Sequence, residues 1–287
     1  MRIGSLALPR LFWLAFIVLP FVSGCGSTSA VAPLVQPIES EKYSSIVVDA
    51  GSGEILHQYA ADAPRYPASL TKMMTLYLLF EAIDSGILSP TSRITASAYA
   101  ASRPPSKLGL RPGDSFDVQT AILALCVKSA NDVAAAVAEH LGGTEQQFAG
   151  MMTAKARQLG MRSTVFTNAS GLPDSGQMTT ARDMALLALA LHNRFPHHYH
   201  VFANQSFAHE GRTIKGHNDL LGRVDGVDGI KTGYIRASGY NIATSAARGR
   251  KRIVVIVMGG DTARSRNAHV ERLLEAYLPQ AGFAAIR

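Results

Sequence analysis

The chain has 287 residues, 47% hydrophobic and 17% charged, enough for one large domain or two small ones with a sizeable core and unlike a disordered composition. A formal net charge of +7 goes with solubility and affinity for anionic surfaces; with no Lys/Arg cluster interleaved with aromatics, it does not point to nucleic acid. Two cysteines, Cys25 and Cys126, supply neither a disulfide framework nor metal-ligand spacing.

The amino terminus reads as an address. Arg2 and Arg10 flank the start of the apolar stretch Leu11–Val22, which is shorter than the roughly 20 residues of a spanning helix and is interrupted by Pro20. Residues 1–24 are therefore an expected export signal. The stretch ends Val22-Ser23-Gly24-Cys25, which resembles a bacterial lipobox, so Cys25 is the expected lipidation site and the new amino terminus. Ordinary cleavage near Ser29-Ala30 is the alternative, and both place the protein outside the cytoplasm. Residues 25–40, with Pro33 and Pro37, read as a flexible tether, residues 41–280 as a single domain and residues 281–287 as a tail.

Within the domain, the β-branched run Tyr43–Asp49 predicts a strand, with Ile55–Tyr59 as its hairpin partner across Gly51-Ser52-Gly53. Leu70–Ser85 predicts a helix stopped at Gly86. Thr91–Asp117, with Pro104, Pro105 and Pro112, reads as irregular. Further helices are predicted over Val118–Val127, Asn131–His140, Glu145–Leu159 and Thr180–Asn193, the last capped by Thr179 or Thr180. Tyr240–Ala246 and Ile253–Met258 read as strands joined by a turn at Arg248–Lys251, and Arg264–Tyr277 as a final helix. Strands at both ends around a helix-rich middle predict one α/β unit, with both ends of the chain in one sheet. Cys126 lies in an apolar run and reads as a buried small hydrophobe. His197, His198 and His200 read as a polar loop rather than a metal site, because no H-E-x-x-H or similar spacing is present.

Three fragments carry chemistry: Ser69-Leu70-Thr71-Lys72, Ser129-Ala130-Asn131 and Lys231-Thr232-Gly233. Each alone is weak. In this order they are S-x-x-K, S-x-N and K-T-G, the signature of penicillin-recognising serine acyl transfer. A serine hydroxyl needs a base to take its proton. At i and i+3 of a helix start, Lys72 reaches Ser69, and burial beside positive charge lowers a lysine pKa enough for that task. Ser129 and Asn131, alternate residues at a helix junction, can face one cleft, as proton relay and carbonyl ligand. Lys231 and Thr232, on an edge strand, suit a peptide carboxylate, and Gly233 leaves room for an acyl group. Taken singly, helix capping and solvated lysines explain each fragment as well. No G-x-S-x-G elbow or phosphate-binding glycine loop is present.

Beyond these fragments, the chain resembles the low-molecular-mass penicillin-binding proteins that are serine D-Ala-D-Ala carboxypeptidases. Pro67–Thr75, Ser129–Asp132, Gly171-Leu172-Pro173 with Thr179–Ala185, Asp228–Tyr234 and Gly239-Tyr240-Asn241 all carry the likeness, which spans residues 40–280. The resemblance implies a penicillin-binding/serine β-lactamase-like fold: an antiparallel sheet flanked by helices, with a helix-rich inserted subdomain. It implies Ser69 as acylated nucleophile, Lys72 as general base, and Ser129 and Asn131 as proton relay and substrate ligands. Lys231, Thr232 and Gly233 would line the carboxylate side, with the N–H groups of Ser69 and Tyr234 as oxyanion hole. An arginine after the Met258-Gly259-Gly260 strand end would bind the carboxylate, Arg266 at the fitting spacing and Arg264 as runner-up. Asp261, Ile235 and Ser238 depart from the usual pattern and bear on fine specificity. The implied substrates are peptidoglycan stem peptides, with β-lactam antibiotics as covalent inhibitors, an N-terminal lipid as membrane link, and no metal or cofactor. A D,D-endopeptidase and a non-catalytic wall-binding lipoprotein are the rivals. A class A β-lactamase needs a deacylating glutamate between the second and third motifs, and Glu139, Glu145 and Glu210 lack its usual surroundings.

Overall fold

The computed structural model describes residues 35–282, together with Met1 and Gly4. Cys25, and all but Met1 and Gly4 of the expected export signal, lie outside those residues. Every element named below belongs to the unit Pro33–Arg287.

Strands β1 (Ser44–Asp49) and β2 (Ile55–Tyr59) form the first hairpin. Asp49 Oδ1 closes its turn by accepting from the N–H groups of Gly51 and Ser52 at 2.7 and 3.1 Å. A single tight turn, Ala68–Thr71, runs into α1 (Lys72–Asp84). Then come β3 (Arg93–Thr95), α2 (Ala98–Ala101), β4 (Ser115–Asp117), α3 (Val118–Leu123), α4 (Asn131–Gly142), α5 (Glu145–Gln158) and α6 (Ala181–Arg194). A small hairpin, β5 (Ser206–His209) and β6 (Arg212–Lys215), precedes β7 (Val227–Ile235), β8 (Gly239–Arg248), β9 (Lys251–Gly260) and α7 (Ala263–Tyr277).

The main sheet is antiparallel throughout, in the order β2-β1-β9-β8-β7. The pairing of β1 with β9, with Ile46 opposite Ile256, joins the two ends of the domain, as the strand pattern predicts. Side chains alternate across a strand, so the central strand is apolar on both faces. Val254, Ile256 and Met258 enter the larger core beneath the helices, and Ile253, Val255 and Val257 face the other way. That second face is covered by Val270, Leu273, Leu274 and Tyr277 of α7, whose three- and four-residue spacing makes one helical stripe. Thr180 caps α6 by accepting from Asp183 N–H, and Thr262 forms a capping box with Ser265 at the start of α7.

Three expectations need correction. Residues 91–117 are not wholly irregular: Ile94 pairs with Phe116 in the β3–β4 ladder, and α2 lies between. Residues 118–127 are not one regular helix, because α3 gives way to a wider turn over Ala124–Lys128 that ends at Ser129 with φ +59°. Cys126 is only partly buried and opens onto a cavity beside β7.

Candidate active site

The serine turn is held by close backbone contacts. Ala68, just before Ser69, has φ +48°, a costly conformation for a residue with a Cβ. Gly171 and Gly233 press on this turn. A Cβ at Gly171, itself at φ +84°, would lie 1.9 Å from Ala68 O, and one at Gly233 would lie 2.9 Å from Ser69 N. Only glycine fits at these two positions. Asn241 of β8 anchors the approach: its Nδ2 donates to Tyr66 O at 3.0 Å and Pro67 O at 3.2 Å, while its Oδ1 accepts from Gly259 N–H at 3.0 Å. The sheet and the serine turn are thereby one rigid piece.

Lys72, the first residue of α1, is fully buried. Its Nζ lies 3.3 Å from Ser69 Oγ, 2.7 Å from Asn131 Oδ1 and 2.6 Å from Ser170 O. The amide oxygen and the carbonyl can only accept. The orientation of Asn131 is fixed by Nδ2 donating to Pro104 O at 2.9 Å. A neutral amine has two N–H groups and one lone pair. Both N–H groups are taken by the acceptors, which leaves the lone pair for the Ser69 hydroxyl. Loss of water around the amine pushes its pKa well below the ordinary lysine value; the positive charge of Lys231 pushes the same way, against the carboxylates of Glu145 and Asp132.

Asn131 opens α4, two residues after the left-handed Ser129. The loop between α2 and β4 grips this junction. Asn131 N–H donates to Ser106 O at 2.7 Å, and Ser106 Oγ donates to Lys128 O at 2.9 Å. Asp132 accepts from the N–H groups of Leu108, Gly109 and Leu110 at 2.9, 2.8 and 3.1 Å. Ser129 Oγ is buried and has no hydrogen-bond partner among the described residues. It lines the cleft, so its hydroxyl is available to a ligand there.

The opposite wall is β7, at the edge of the main sheet as the motif predicts. Thr232, Gly233 and Tyr234 line the cleft, and Tyr234 stays half exposed with its ring 4.3 Å from that of Tyr240. Lys231 is buried, and its Nζ donates to Thr232 O at 2.9 Å. It borders the adjoining cavity of about 390 Å³, together with Cys126, rather than the cleft itself. Burial pulls its pKa down to about 8. Arg266 reaches the cleft from α7, whereas Arg264 is exposed. Arg266 Nη1 donates to Asn241 O at 2.9 Å, and Nε and Nη2 donate to Asn267 Oδ1 at 3.0 and 2.6 Å. Burial brings its pKa to about 10, so it keeps its charge at neutral pH.

The cleft between these walls has a volume of about 530 Å³ and joins Ser69, Ser129, Asn131, Thr232, Gly233, Tyr234 and Arg266. Residues from four separate segments thus converge on one cleft. Sequence reasoning missed Ser170, whose carbonyl holds Lys72, and His217 and Asp219, which line the cleft from the loop after β6. A backbone acceptor leaves no trace in residue identity. Gly171 carried a signal, because Gly171-Leu172-Pro173 is one of the segments in which the family likeness lies. Of the glutamates weighed earlier, Glu145 accepts from Ala169 N–H and Tyr99 OH at 2.9 and 2.6 Å. Glu139 accepts from Ser97 Oγ at 2.6 Å, Glu210 is exposed, and none of the three lines the cleft.

Comparison with known proteins agrees with this geometry. A family profile described as D-alanyl-D-alanine carboxypeptidase matches residues 29–262. The chain is 36% identical over 249 residues to the D-alanyl-D-alanine carboxypeptidase DacA of Escherichia coli K12, covering 84% of this chain and 61% of that one. It is 32% identical over 240 residues to DacF of Bacillus subtilis, again spanning 61% of the relative. Among solved structures, penicillin-binding protein 5 of Haemophilus influenzae is similar at TM-score 0.80 and 32% identity, over 84% of this chain and 72% of that one. Penicillin-binding protein D2 of Listeria monocytogenes, in its ampicillin-bound form, is similar at TM-score 0.71 and 32% identity, over 81% and 95%.

Proposed function

The chain belongs to the D-alanyl-D-alanine carboxypeptidase family, and from that premise we propose that it is a serine D,D-carboxypeptidase that removes the terminal D-alanine of peptidoglycan stem peptides. The observation that carries this reading is the set of partners around the buried Lys72 amine. Two acceptors face its N–H groups, and among the described residues its remaining hydrogen-bond partner is the Ser69 hydroxyl at 3.3 Å.

Neutral Lys72 takes the Ser69 proton as Oγ bonds to the carbonyl carbon of the penultimate residue. The oxyanion is received by the N–H groups of Ser69 and Tyr234. As the C–N bond breaks, the departing amine takes the proton from Lys72, relayed by the unpartnered Ser129 hydroxyl, and D-alanine leaves. Water then attacks the acyl-serine, giving its proton to Lys72, which returns it to Oγ. Thr232 and Arg266 hold the substrate carboxylate, Asn131 holds a substrate carbonyl, and Gly233 keeps room for the acyl group. Lys231 acts from behind β7, as a positive charge that keeps Lys72 neutral and draws the carboxylate. A β-lactam enters by the same attack and leaves an acyl-serine that water reaches slowly.

The test is release of free D-alanine from a stem pentapeptide ending in D-Ala-D-Ala. We expect release by the wild-type chain and none by Ser69→Ala. Uncross-linked fragments from cross-linked peptidoglycan, with no free D-alanine from the pentapeptide, would replace this reading with an endopeptidase. We further propose that residues 1–24 direct export and that Cys25 carries a lipid, which would put the cleft within reach of the cell wall. Membrane association lost in Cys25→Ser supports the anchor; identical aqueous release of wild type and variant contradicts it.

A further inference from the structure

At the far end of the serine-bearing helix, two imidazoles and a carboxylate converge. Asp84 is the last residue of α1, and His197 and His198 lie in the turn that follows α6. His197 Nε2 and His198 Nε2 stand 3.0 and 2.8 Å from Asp84 Oδ1, and the ligand atoms of all three residues lie within 4.8 Å of one another. Two ligands bound tetrahedrally at about 2.0–2.1 Å are roughly 3.4 Å apart. Small rotamer adjustments therefore suffice to enclose a cation.

The site is built rather than incidental. The His198 ring stacks on Phe80 at 4.8 Å and 11°, with Phe195 on a second side, and its side chain is only 17% exposed. Packing thus fixes the direction of its Nε2. His200 Nδ1 contacts His197 O at 2.9 Å and steadies that backbone. The nearby cations Lys155 and Arg194 are paired with Glu81, one turn before Asp84, so the Asp84 carboxylate is left to the histidines.

We propose that Asp84, His197 and His198 bind one divalent cation of the zinc class, with water completing the coordination, and that the cation ties the end of α1 to the turn after α6. Imidazole nitrogen with carboxylate oxygen suits zinc and its transition-metal neighbours and disfavours magnesium. The thirteen-residue α1 is about 20 Å long at 1.5 Å per residue. The cation therefore acts on the rigidity of the scaffold and takes no part in the reaction at Ser69. The sequence expectation of a plain polar loop considered spacing within residues 197–200, and Asp84 lies 113 positions from His197.

The test is calorimetric titration of the tag-free full chain, first stripped with chelator, with zinc chloride, alongside thermal melting with and without zinc. We expect one zinc per chain and a rise in Tm with zinc that magnesium does not reproduce. His197→Ala, at a side chain 60% exposed that contributes little to the core, should weaken zinc at least tenfold and abolish the Tm rise. Asp84→Asn should do the same, while Cys126→Ala leaves binding intact. Absence of zinc binding, undiminished binding in His197→Ala and Asp84→Asn, or loss in Cys126→Ala instead would overturn the proposal.

Discussion

Lys72 sits where a lysine is least at ease, without water and near a second ammonium. Burial and that neighbouring charge both disfavour its charged form, which is what the proposed base role requires. General base catalysis contributes about 10²–10⁴-fold. Lys72→Ala should therefore slow acylation by a penicillin by about that factor while the chain stays folded; stopped-flow acylation rates check it, and an unchanged rate would remove Lys72 from the base role. The pH profile is a finer probe. Acylation needs neutral Lys72, so its rate falls as pH drops through the Lys72 pKa. Burial sets most of that depression and Lys231 adds to it. In Lys231→Met the added repulsion is gone, the Lys72 pKa rises, and the acid limb of the acylation profile should move to higher pH. A limb that stays put or moves down would show that the charge of Lys231 is not felt at Lys72. The three motifs made these side chains legible because each is contiguous. The Ser170 carbonyl that accepts from Lys72 belongs to a backbone that any residue supplies.

Local geometry is where the sequence was least transparent. Strands β1 and β9 were readable because they are rich in β-branched residues and mostly buried, and β8 because its ten residues run into a polar turn. The β3–β4 and β5–β6 ladders are three and four residues long with mostly exposed side chains, too short for a period-two pattern to register. The break after Leu123 is invisible in the apolar run Ala121–Val127, since hydrophobicity does not encode the width of a helical turn. The close approaches around Ser69 yield the strongest expectation for a single element. Gly171→Ala forces a Cβ into Ala68 O and should displace the serine turn. We expect penicillin acylation to be lost and Tm to fall; a variant with native acylation would show that the turn yields freely. Asn241→Ala strips partners from Tyr66 O, Pro67 O and Gly259 N–H. Unsatisfied buried groups cost about 1–3 kcal/mol, and chemical denaturation should read a destabilisation of that order.

Across the whole molecule, the pairing of β1 with β9 is what assembles the site. It sets the sheet edge β7 on one side of the cleft and leaves the helical region, carrying Ser129 and Asn131, on the other. Strands at both ends of a helix-rich middle announced this architecture, whereas the loops that line the cleft at His217 and Asp219 gave no periodic signal. The central claim is that this assembly makes Ser69 an acylatable nucleophile. Its most direct test is the intact-protein mass of the chain after mixing with a penicillin, with Ser69→Ala alongside. A persistent adduct of one drug molecule in the wild type and none in the variant is the expected result. No adduct in the wild type, or an equal adduct in Ser69→Ala, would contradict the account.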